Sequence, residues 1–279
     1  MLGKLLKYDM RYVARIMPLM YSVALAMSLL MSLVIFLISK LTEMSFILVM
    51  MLPLWALALA VVAYSGVIMI ASRIYKTFYS DQGYLTFTLP VTSSQLIWSK
   101  VLLYVIWQLI GMIVALVCVA LPIATAVVTF ATDGFYDAMN YILDFMTYFF
   151  KEMFGFEGAT FIGACISMLV YTLVSYVSAP IAIIFSFSIG QFVNKHRVIA
   201  AIGIYFAYST VMSILFSILE LFIYIPGMMS DAYVDSSIIG IASTQLMWYM
   251  IFCSILTIIG SSICYVVTKH IMANKLNLI

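Results

Sequence analysis

A chain of 279 residues that is 66% hydrophobic and 9% charged cannot fold as a water-soluble globule. Soluble domains are near half apolar and a quarter charged, and they need that polar share to face water. The same composition excludes a disordered chain and a disulfide scaffold, and a net charge of only +2 argues against a nucleic-acid partner. The solvent for most of this chain is lipid, so the prior of one domain per 150 residues, which assumes water, does not apply.

Residues 2–16 are predicted to form a basic amphipathic helix. At 100° per residue, Lys4, Lys7, Arg11 and Arg15 share one narrow stripe, with Leu2, Leu5, Leu6, Met10, Val13 and Ile16 opposite. Such a helix either lies in the headgroup plane with its cations toward anionic lipid or docks on a protein. Asp9 falls toward the apolar side and asks for a cation from elsewhere in the protein. The segment is not read as a cleaved signal peptide, because the first span is too long for a signal's apolar core.

Six stretches with almost no internal charge reach the roughly 20 residues that cross about 30 Å of hydrocarbon. They are 16–38, 46–71, 98–130, 161–190, 198–224 and 241–268. The expected fold class is therefore an all-α membrane protein: one transmembrane domain of six helices behind an N-terminal interfacial helix at 1–15. Spans longer than the bilayer core must tilt or project beyond it.

Charge position orients these spans. Lys4, Lys7, Arg11, Arg15, Arg73, Lys76, Lys100, Lys195, Arg197, Lys269 and Lys275 fall on one side, and only Lys40 and Lys151 on the other. The positive-inside rule counts Lys and Arg, and it places both termini in the cytoplasm of a cell-membrane protein. Asp9 and Asp81 sit with the basic group, while eight other acidic residues lie opposite.

The loops divide by side. The outer segment 131–160 carries Met139, Ile142, Leu143, Met146, Phe149, Phe150 and Met153 at near-helical spacing, interleaved with Asp144 and Glu152. It reads as an interfacial helix or short lid, too short and too charged to cross. The cytoplasmic loop 72–97 is broken by Pro90, and Thr92 with Gln95 makes a capping-box pattern that starts a helix leading into span three. Trp98 and Lys100 would then sit at headgroup level. Tyr84, Leu85, Phe87 and Leu89 form an exposed apolar cluster, which fits contact with either membrane or a partner.

The motifs of chemistry are missing. Cys118, Cys165, Cys253 and Cys264 fall inside spans with no C-x-x-C pair, and His196 and His270 sit among cations. No phosphate loop, H-E-x-x-H or G-x-S-x-G is present, so the chain is not expected to be an enzyme or to carry a metal or cofactor. Glu220, toward the outer end of span five, is the one acidic residue within a span. It reads as a residue in a wet vestibule or at the interface, or as a proton relay. Gln108 in span three reads as interhelical glue, and Pro180 in span four as a candidate kink. Gly203 with Ala207 and Gly111 with Ala115 offer small-xxx-small contacts. Twenty-one methionines suit either packing or an adaptable apolar pathway.

The segment G-Y-L-T-F-T-L-P-V at 83–91, with S-K ten residues beyond Pro90, resembles a signature of the small Firmicute-type membrane permeases of ATP-binding cassette transporters, type-2 exporter class. The opening M-L-G-K-L-L-K-Y-D and the R-I-Y-K-T-F-Y at 73–79 look similar too. The outer segment 133–158 matches no feature of that family. The resemblance implies an elbow helix, six spans per subunit, and a short coupling helix docked on a separate cytoplasmic ATPase, which would bind the ATP and magnesium. On this sequence the coupling surface would be Gly83, Tyr84, Leu85, Thr86, Phe87, Thr88, Leu89 and Pro90, with Asp81 and Gln82 leading into it. Two ATPase subunits and a second permease copy or paralogue would complete the assembly. The exported substrate would be hydrophobic or amphipathic: a peptide, an antibiotic or a lipid-like molecule. A secondary carrier working through Glu220 and a non-transporting scaffold or sensor are the rival readings.

Overall fold

The computed structural model describes residues 2–40, 45–78, 92–130, 140, 143–144, 147–148, 159–193, 196–228 and 238–274. These residues form α1 (Leu2–Val13), α2 (Met17–Lys40), α3 (Ser45–Phe78), α4 (Ser93–Phe130), α5 (Ala159–Gly190), α6 (Arg197–Met228) and α7 (Ile238–Asn274). Among the described residues there is no strand. α2 to α7 are each long and apolar enough to cross a membrane. Many of their large apolar side chains, including Leu57, Ile68, Leu116, Phe206 and Phe222, face outward, as lipid permits and water does not.

Several helices outrun the spans drawn from hydropathy. α3 continues past residue 71 to Phe78, and α4 starts at Ser93, ahead of residue 98. Arg73 and Lys76 end the apolar run but not the helix, because Ile70, Ile74 and Phe78 keep one buried stripe at four-residue spacing. The start of α4 is fixed by the anticipated capping box. Gln95 N–H donates to Thr92 Oγ1, and Thr92 N–H donates to Gln95 Oε1, both at 3.4 Å.

The chain divides into two compact units. One holds Met1–Ile70 and Leu102–Thr147, and the other Ala71–Val101 and Tyr148–Ile279. In the first unit, α1 passes to α2 through a tight turn in which Ile16 N–H donates to Val13 O. Asp9, Val13, Met17 and Tyr21 form one buried stripe across that turn, and Asp9 is only 3% exposed. Lys4, Lys7, Arg11 and Arg15 all remain exposed on the other faces.

Contacts in this unit use the few polar groups of the spans. Tyr21 of α2 donates to the Trp107 carbonyl of α4 at 2.9 Å, with the two rings 6.3 Å apart. Gly111, one turn after Trp107, leaves room for the Tyr21 hydroxyl: a Cβ there would stand 3.0 Å from it. Trp55 of α3 donates to Ser28 of α2 at 3.1 Å. Gln108 fits Gly66, whose missing Cβ would lie 2.6 Å from Gln108 Oε1. Tyr21→Phe keeps the ring and deletes the one hydrogen bond. It is expected to cost about 0.6–1 kcal/mol, read as a small drop in thermal stability of the purified protein.

In the second unit α5 packs along α7 and α6, and α6 also touches α7. The end of α5 meets the start of α6 with no space between them. A Cβ on Gly190 would lie 2.8 Å from Ala201 N and 2.9 Å from Ala201 Cα. A Cβ on Gly203, by contrast, would meet nothing within 4 Å, so Gly203 makes no close helix contact with the described residues.

Throughout the spans, Ser and Thr hydroxyls donate to a carbonyl three or four residues back on their own helix. Ser28, Ser32, Thr125, Thr129, Ser186, Ser188, Thr257 and Thr268 are examples. This local bond settles the donor where no water is at hand.

Candidate functional site

The ten residues from Asp81 to Pro90, on which the resemblance rests its coupling surface, lie outside the described residues. The ends of α3 and α4 carry this loop. Phe78, the last residue of α3, is fully buried, as are Ile74, Ile97 and Val101. Lys100 of α4 holds its ammonium 5.5 Å over the Phe78 ring and 3.5 Å from Thr77 Oγ1. At 2% exposure, Lys100 is enclosed by the protein. An ammonium gains there from an aromatic face and hydroxyl oxygens already held in place.

The same helix ends are tied to the rest of their unit. Ser94 Oγ and Tyr265 Oη of α7 share a hydrogen bond at 2.8 Å, and the Trp98 and Tyr265 rings stand 6.3 Å apart. Tyr75 of α3 meets Phe187 of α5 at 5.8 Å. Both flanks of the loop are therefore braced on the long helices α5 and α7. Trp98 is 40% exposed.

Of the segment 133–158, the described residues Asn140, Leu143, Asp144, Thr147 and Tyr148 are helical and exposed. Thr147 donates to Leu143 O at 2.6 Å.

The three span residues singled out from sequence separate. Gln108 belongs to the first unit, in the α3–α4 contact described above, whereas Pro180 and Glu220 belong to the second. Pro180 is buried, and α5 runs through it without interruption. Glu220 is exposed on α6.

Next to Pro180 opens a cleft of about 340 Å³ between α5, α6 and α7. α5 contributes Tyr171, Ser175, Ser178, Ala179 and Ala182, and α7 contributes Thr257. α6 supplies Tyr205, Tyr208, Ser209, Met212, Ser213 and Phe216. Eight of the twelve lining residues carry a hydroxyl, although most of the surface they present to the cleft is apolar. The sequence carried the signal without its being read: Ser209, Ser213, Phe216 and Glu220 recur at four, seven and eleven residues, one stripe of a helix. On the facing span Tyr171, Ser175, Ser178 and Ala182 recur at the same offsets.

Among the described residues, no group of three or more Cys, His, Asp or Glu side chains is placed to hold a metal. The four cysteines are free thiols, three of them buried.

The six long apolar helices define the class: a multi-pass α-helical membrane protein. Comparison with family models, with curated proteins and with solved structures finds no match for this chain.

Proposed function

We propose that the chain is the membrane subunit of an exporter driven by a separate cytoplasmic ATP-binding cassette ATPase. The observation that carries this reading is the loop between α3 and α4. Its sequence resembles the permease signature, and its two flanks are braced on α5 and α7. A loop mounted in this way passes an applied force to the long helices instead of bending at its base. In this reading 83–90 dock on the ATPase, with Asp81 and Gln82 leading in. ATP and magnesium belong to that partner.

The basic residues orient the same reading. Both termini and the 79–91 loop face the cytoplasm of a cell membrane, by the excess of Lys and Arg there. α1 lies at the headgroup level as an elbow, with Lys4, Lys7, Arg11 and Arg15 toward anionic lipid. Two copies, or this chain and a paralogue, pair with two ATPases. Closure of the ATPases on ATP pushes or rotates the coupling segments, and the spans follow as rigid bodies. The substrate is hydrophobic or amphipathic, because the spans hold almost no charge to carry an inorganic ion.

The test is association. The tagged full-length chain, purified from its native membrane, is expected to bring down an ATPase with a phosphate-loop motif and ATP-hydrolysing activity. Changing Tyr84, Phe87 and Leu89 together to Asp is expected to cut that association about a hundredfold, since three apolar contacts of about 1 kcal/mol each are lost. Retained association would move the docking surface elsewhere, and the absence of any ATPase would end the reading. Transport that persisted without ATP and depended on Glu220 would establish a secondary carrier instead.

A further inference from the structure

The α5–α6–α7 cleft has the size of a small-molecule site, and its chemistry selects a kind of ligand. Ser175 donates to Thr172 O at 2.8 Å, Ser178 to Ser175 O at 3.0 Å and Thr257 to Cys253 O at 2.7 Å. With those protons committed to their own helices, the three hydroxyls offer a ligand only their lone pairs. Tyr171, Tyr205 and Tyr208 add aromatic faces, which attract a cation. The lining contains no Lys, Arg or His.

An exposed acidic residue, Glu220, lies just beyond the cleft lining on α6. Eleven residues bring an α-helix back to within about 20° of its starting direction, so Glu220 shares the stripe of Ser209, one turn beyond Phe216. Between the hydroxyls, Ala179, Ala182, Met212 and Phe216 leave an apolar floor.

We propose that this cleft binds an amphiphile whose head is a primary ammonium or guanidinium group and whose body is apolar. The head donates to the hydroxyl oxygens and to Glu220, and the body lies on Met212 and Phe216. The site does not depend on the exporter reading; if that reading holds, the same amphiphile is its cargo.

The test uses the full-length chain alone, in nanodiscs of phosphatidylcholine, so its outcome is independent of any ATPase. The probe is dodecylamine bearing a photoactivatable diazirine on its chain, with labelled peptides located by mass spectrometry. Labelling is expected on peptides of α5, α6 and α7. It should be competed about tenfold better by dodecylamine than by dodecyltrimethylammonium, which lacks N–H, or by dodecanoate. Glu220→Gln should weaken labelling about tenfold while the protein elutes from size exclusion as the wild type does. Ser213→Leu should fill the cleft and abolish labelling. If that variant fails to fold, Glu220→Gln and the competition on the wild type decide.

Equal competition by dodecanoate, labelling confined to α2–α4, or an unchanged Glu220→Gln would overturn the proposal. Adding phosphatidylethanolamine to the nanodiscs separates two sources of the same chemistry. Loss of labelling identifies a lipid headgroup as the natural occupant, and undiminished labelling identifies a soluble amphiphile.

Discussion

Truncating Phe78 to alanine is expected to lower the stability of the protein by about 3 kcal/mol, the lower end of the usual cost for emptying a buried aromatic site. Phe78 is fully buried at the end of α3, where Ile74, Ile97 and Val101 are also closed off from solvent. The lower end applies because a side chain released near lipid loses its packing but keeps an apolar surrounding. The ring also supports the Lys100 ammonium at 5.5 Å, so its removal leaves a buried cation without its aromatic face.

Lys100→Met is the informative companion, because it keeps much of the volume and deletes the charge. Its cost should be about 1 kcal/mol, close to the value of a partly desolvated cation over a ring. Thermal unfolding of the purified protein followed by size exclusion measures both. In the exporter reading Phe78→Ala also weakens ATPase association, although Phe78 is not part of the docking surface. A Phe78→Ala protein as stable as the wild type would mean that the loop's flanks are not braced.

Gly190→Ala is expected to cost about 1–3 kcal/mol, the range for forcing an extra carbon into a filled contact. The new Cβ would stand 2.8–2.9 Å from Ala201 N, Cα and Cβ. Two of these are backbone atoms, which cannot rotate aside, so α5 and α6 must shift apart along their whole contact. Gly66→Ala makes the control. Its Cβ would come closer still, 2.6 Å, but to Gln108 Oε1 at the free end of a flexible side chain. Gln108 can take another rotamer, and alanine is the better helix former by about 1 kcal/mol, so the two effects should nearly cancel. The comparison is made by heating both variants in the same detergent. Equal loss in the two would show that α5 and α6 are free to separate.

The six spans were legible because lipid demands long apolar runs, and nothing else in the chain resembles them. The Thr92–Gln95 cap was legible for a similar reason, since both partners sit within one turn. The extension of α3 to Phe78 was hidden by Arg73 and Lys76, which look like the end of a span when hydropathy alone is read. The burial of Lys100 against the Phe78 ring was likewise hidden, because it depends on how the ends of α3 and α4 meet. The Gly190–Ala201 contact and the serines of the cleft depend on which spans become neighbours. Helical spacing tells which residues share a face, but not which face meets which. The apolar signal in lipid is nearly the same on every side of a span, so this information is weaker here than in a soluble bundle.

A newly made span enters the bilayer before the neighbours that will later surround it are in place. A serine or threonine whose proton already bonds the preceding turn, as in Ser28, Thr257 or Thr268, asks nothing of those neighbours at that moment. Such a span can be released laterally into lipid one at a time, with its polar atoms masked by its own backbone. The order of synthesis thus places no demand on α5, α6 and α7 to wait for one another, and the hydroxyls become available as a shared surface only after the three have assembled.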